Sequence, residues 1–116
     1  MVQMTIQVPD ELAVRIRPIG SWLSTIIELS LIGVRTLAAA TATEVIQFLS
    51  ENPSPQEVLD YHVSERAQAR LQRLLALNEA GMLSELEQLE LDELQHIEHI
   101  IIMLKAQVAE QLQQEP

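Results

Sequence analysis

The chain has 116 residues, 47 % of them apolar, with one Phe, one Tyr, one Trp, no cysteine and a formal charge of −10. That length fits one domain, or one compact domain with a small appended module, and a core built from Leu, Ile, Val and Ala suits helices. The lack of cysteine excludes disulfides, thiolate metal ligands and cysteine nucleophiles, and the acidic excess argues against a general affinity for phosphate backbones.

Residues 2–8 alternate, with Val2, Met4, Ile6 and Val8 on one face and Gln3, Thr5 and Gln7 on the other, which predicts a short β-strand. Pro9 ends it, and Asp10 is placed to cap a following helix. No second strand with comparable alternation occurs, so the expected partner is the same segment of another copy, in a homodimer. A first helix is expected from about Glu11 to Arg17, followed by a turn at Pro18-Ile19-Gly20-Ser21. A second begins between Ser21 and Thr25, where Thr25 and Glu28 have capping-box spacing, and Gly33 ends or kinks it. Val34 to Leu49 is helix-prone again, with Thr41 and Glu44 as a further cap pair.

The strongest start signal is Ser54-Pro55 with Glu57, opening a short helix that carries Val58, Leu59 and Tyr61. Ser64 is placed to cap a helix over residues 65–79, with Ala67, Leu71, Leu74 and Leu75 on its inner face and Gly81 at its C-terminal end. Ser84 with Glu87 then starts a long helix over residues 84–113, folded back on the preceding one as a hairpin. Its stripe of Leu94, Ile97, Ile101, Leu104 and Val108 returns at steps of three and four, and the unbroken run from Ile100 to Leu104 widens it. Thirty residues span about 45 Å, longer than a domain of this size, so one chain is not expected to bury all of it. Ile97, Ile101, Leu104 and Val108, together with Met4, Ile6 and Val8 of the strand, are therefore the candidate interface residues.

Charge divides the chain. Residues 1–50 hold four acidic residues and three arginines, a net of −1, whereas residues 51–116 hold thirteen acidic and four basic residues, a net of −9. Residues 1–50 thus read as a dimerisation and candidate DNA-binding module, and 51–116 as an acidic helical hairpin for oligomerisation or partner binding. In paired strands lying in a major groove, Gln3 and Gln7 can make paired hydrogen bonds to adenine and Thr5 can meet a base or a methyl group. Free amides near Ser21 and Thr25 can hold a phosphate, with Arg15 and Arg17 beside them. The same residues also fit a dimerisation strand with an ordinary polar outer face.

The segment MTIQVPDELAVRIR, the turn at Pro18–Ser21 and the helix WLSTIIELSLIG resemble ribbon-helix-helix proteins, the family of small dimeric repressors and antitoxins. The later segment ENPSPQEVLDYHVSERAQARLQRLLALNEAGMLSELEQLELDELQHIEHIIIMLKAQ is similar to cyanobacterial antitoxin-like proteins of uncertain function. The resemblance implies a two-stranded ribbon that reads promoter DNA through Gln3, Thr5 and Gln7, and a C-terminal region that binds and restrains a toxin, here expected to be a basic protein. The expected fold is mainly α, with an N-terminal strand paired across a homodimer and a C-terminal helical hairpin with a long last helix. The expected function is an antitoxin-like DNA-binding transcriptional regulator; the alternative is a homodimeric protein-interaction module without DNA binding.

Other chemistry has little support in the residues. Glu93 and His96 have the Glu-x-x-His spacing of di-metal bundles, near Asp92 and His99, but no other histidine has a glutamate three positions before it, so no metal or cofactor is expected. Glu85, Glu87, Glu90 and Glu93 are expected on wet helix faces. No Ser–His–carboxylate arrangement is identifiable and the three glycines are scattered, so no enzyme activity is expected. The start has no positively charged leader before a hydrophobic core, and Ile100–Leu104 is far shorter than the roughly 20 residues of a membrane span, which points to a cytoplasmic protein.

Overall fold

A computed structural model describes residues 2–32 and 35–114. Gly33 and Val34, at the expected break before the third helix, and the C-terminal Glu115 and Pro116 lie outside the described residues. The elements are α1 (Asp10–Ile16), a 3-10 turn (Arg17–Trp22), α2 (Leu23–Ser30), α3 (Ala38–Ser50), α4 (Pro55–Asp60), α5 (Glu65–Glu79) and α6 (Glu85–Gln114).

Three helix starts follow from side chains one turn apart. Ser54 accepts from the Glu57 amide at 3.1 Å while Glu57 accepts from the Ser54 amide at 3.1 Å, a reciprocal box with Pro55 at the first helical position. Ser84 and Glu87 repeat it at the start of α6, and Ser64 accepts from the Ala67 amide at the start of α5. The backbone and hydroxyl hydrogen bonds from Ser54 and Ser84 hold the carboxyls of Glu57 and Glu87 below the usual range. Helix α5 ends on Gly81 at φ +69°, where the Met82 amide donates to the Leu77 carbonyl at 2.9 Å and the Gly81 amide to Asn78 at 3.0 Å. Both bonds satisfy otherwise orphaned carbonyls and turn the chain into α6.

α6 is the axis of the molecule. Helices α2, α3, α4 and α5 all pack on it, and its residues Leu91, Leu94, Ile97, Ile100, Leu104 and Val108 are buried. Around them the core takes Trp22, Leu29, Val45, Leu49, Val58 and Leu74 from the other elements. Trp22 closes one end, its indole N–H donating to the Pro53 carbonyl at 3.1 Å. Four shorter helices wrapped around one long one bury most of the stripe within a single chain, although Leu86, Leu89, Ile102 and Met103 stay exposed. No described helix is long and apolar enough to cross a membrane.

The N-terminal expectation is corrected. Among the described residues there is no β-strand, and the fold is a small all-helical bundle. Residues 2–9 run without regular structure, with Val2 89 % and Met4 85 % exposed. Alternation is a necessary feature of a half-buried strand, but a strand exists only where a neighbour completes its ladder of hydrogen bonds. None does among the described residues, so the chain shows neither the ribbon-helix-helix arrangement nor a strand through which a homodimer would pair. Helix α1 follows the same pattern, touching the 3-10 turn and burying no residue of its own.

Candidate functional site

Three carboxylates act as links between helices, none of them in the role its sequence position suggests. Glu90 is only 3 % exposed and accepts a two-pronged bond from Arg70, with Nε to Oε2 at 2.6 Å and Nη2 to Oε1 at 2.8 Å, which joins α5 to α6. Those hydrogen bonds, and then the Glu90 charge, push the Arg70 pKa up and keep the guanidinium charged. Glu93, 7 % exposed, accepts from the Arg35 amide at 2.9 Å and from Thr36 Oγ1 at 2.6 Å, while Thr36 Oγ1 accepts from the Ala38 amide at 3.1 Å. Glu93 thus fixes the start of α3, which is why the helix begins at Ala38 and not at the expected cap pair of Thr41 and Glu44. Glu44 instead accepts from the Ser64 amide and, at 3.1 Å, from the Ser64 hydroxyl, tying α3 to the beginning of α5.

These links hold α3 and α5 on α6 while the two hardly touch each other. Between them lies an open groove of about 700 Å³. Its floor is the buried Thr41, Ala67 and Leu94, and the short side chains of Ala40 and Ala69 keep its walls low. Leu37, 73 % exposed, stands on the α3 rim, and the exposed Arg66 and Arg73 stand on the α5 rim. Among the described residues, neither arginine makes an ion pair. The arrangement provides apolar surface and fixed positive charge on preformed walls.

On the other side of α5, a smaller cavity of about 280 Å³ is lined by Tyr61, Leu71, Ile97, Ile101 and Lys105 among others. The Tyr61 ring stacks on Phe48 with centroids 4.1 Å apart, and its carbonyl accepts from Lys105 Nζ. Its hydroxyl is buried and, among the described residues, has no hydrogen-bond partner. Burial first, and then the nearby Glu44 carboxylate, push its pKa up to about 12. Tyr61→Phe is therefore expected to stabilise the protein by about 1 kcal/mol at neutral pH, because it removes an unsatisfied group. Between the unfolded value of 10.0 and about 12 the folded chain holds a proton that the unfolded chain has lost, so wild-type stability falls as pH rises through that window. Urea unfolding of both proteins at neutral and alkaline pH reads both effects, and the Phe variant should lack this tyrosine's contribution to the alkaline decline.

The residues expected to contact DNA do not assemble into a ribbon. Gln3, Thr5 and Gln7 lie on the exposed arm, Arg15 on α1 and Arg17 at the start of the 3-10 turn. Ser21 and Thr25 line a cleft with Asn52, Pro53, Gln107 and Gln111. Of the expected interface residues, Met4 and Ile6 are exposed and Val8 is half-buried, whereas Ile97, Leu104 and Val108 are buried and Ile101 is partly buried in the chain's own core. Glu93 is occupied at the start of α3, His96 and His99 are exposed, and among the described residues no group of three metal-ligating side chains occurs.

None of the three links is expected from the sequence, although one of them leaves a signal in it. Across a hairpin reversing near Ala80, residues ten positions to either side meet, and Arg70 and Glu90 are such a pair. Nothing local marks Glu44 for Ser64 or Glu93 for Thr36. Among the described residues no strand-based DNA-binding motif is present, so the antitoxin-like regulator reading is set aside together with its promoter DNA, toxin and homodimer partners; the helical bundle is consistent with the alternative, a protein-interaction module. The chain matches no family model, no curated protein and no solved structure.

Proposed function

We propose that the protein is a non-catalytic helical interaction module that receives an α-helix of another protein in the groove between α3 and α5. The observation that carries this reading is the groove itself. α3, α5 and α6 form three sides of a bundle, and the open space lies where a fourth helix would pack. Short side chains along such a face allow close approach of helix axes, and walls already fixed by Glu44, Glu90 and Glu93 reduce the ordering cost of binding.

The test is site-specific photo-crosslinking in the cells that make the protein. A crosslinking side chain at Ala69, on the groove wall, is expected to capture a partner that the same group at Gln72, exposed outside the groove, does not. Ala40→Trp, which fills the groove from the α3 side, should abolish that adduct. Equal capture at both positions, or capture unaffected by Trp, rejects the groove as the binding surface.

A further inference from the structure

We infer that the helix received by the groove is acidic, carrying two carboxylates seven residues apart with aliphatic side chains between them. The inference rests on the interaction reading above and assigns the chemistry of the partner. Residues 51–116 contain four basic residues, and three of them, Arg66, Arg70 and Arg73, line this groove. They follow one another along α5 at steps of four and three, so they form a single stripe.

The three arginines have different tasks. Arg70 is committed to Glu90, and the remaining carboxylate in the groove wall, Glu44, is engaged by Ser64. Glu87, whose carboxyl is lowered in part by Arg70 and Arg73, is held mainly by its Ser84 cap. Arg66 and Arg73 therefore line the open groove as cations that, among the described residues, make no ion pair. They are separated by two helical turns, about 10.5 Å along the axis. A helix laid alongside α5 repeats the same rise, so carboxylates at a position and seven residues beyond meet both arginines. The residues three and four positions along then point to the floor of Thr41, Ala67 and Leu94. Alignment matters because the chain as a whole is strongly negative: beyond a Debye length of about 8 Å an acidic partner gains nothing from it, and only a helix seated against the two arginines is attracted.

The probe is a fluorescein-labelled, alanine-rich helical peptide with two glutamates seven residues apart and a leucine pair between them. Its counterpart has lysine in place of both glutamates. Binding to the full-length protein is read by fluorescence anisotropy at low and moderate salt, and its location by amide chemical-shift changes. The glutamate peptide should bind more tightly, weaken with salt, and shift the amides of Ala40, Ala67 and Ala69. The Arg66→Glu, Arg73→Glu double variant alters two exposed side chains and keeps the fold by circular dichroism. It should lose roughly ten-fold in affinity for the glutamate peptide and gain affinity for the lysine peptide. If both peptides shift the groove amides equally and the charge reversal changes nothing, the acidic partner is overturned while the groove reading stands. If neither peptide disturbs those amides, both fall.

Discussion

Ile97→Asp is expected to leave the chain unfolded at room temperature, not to separate two folded copies. Ile97 is 1 % exposed at the middle of α6, inside the cluster that joins α2, α3, α4 and α5 to that helix. Losing the buried side chain costs about 2–5 kcal/mol, counting the space left behind. A carboxylate placed in that apolar cluster must be desolvated and adds several kcal/mol more. Domains have about 5–15 kcal/mol of stability in total, and one this small belongs toward the lower end. Far-UV circular dichroism and a urea titration decide the matter. A variant that stays helical while its sedimentation mass falls would place Ile97 between copies and reject the core described here.

What was legible in the sequence was local. Ser54 with Glu57, Ser64, Ser84 with Glu87, and Gly81 each satisfy backbone groups within a turn of themselves, so spacing alone locates them. The long last helix and its apolar stripe were equally plain, because a period of three and four needs no partner to be recognised. The errors arose where one segment's structure depends on another. The alternation at residues 2–8 specifies a strand only if a ladder completes it. Glu90 and Glu93 are charged residues on a helix and so resemble solvent-facing ones, until Arg70 and Thr36 arrive from elements 20 and 57 positions away. The groove has the same origin. Its residues, Ala40, Ala67, Ala69, Arg66 and Arg73, are ordinary in sequence, and only the spacing of α3 from α5 across α6 makes them one surface.

Arg70→Met should destabilise the protein by about 2–4 kcal/mol, and adding Glu90→Leu should restore most of the loss. The Glu90 side chain is 4 % exposed, so without the guanidinium its carboxylate is left buried and unpaired. Breaking such a pair from one side costs about 3–5 kcal/mol, and the 33 % exposure of the Arg70 side chain moves the expectation to the lower part of that range, since water can reach the site. Replacing both members by aliphatic groups of similar size removes the stranded charge together with the desolvation cost of the pair, which is why the double variant recovers. Urea unfolding of the four proteins of the cycle at neutral pH measures the coupling. A single-variant loss below about 1 kcal/mol would mean that the pair behaves as a surface bridge. The pair also sets where α5 rests on α6, and with it the α5 wall of the groove. The double variant should therefore regain stability without fully regaining affinity for the glutamate peptide, because the apolar pair fixes no angle between the helices as the two-pronged bond does.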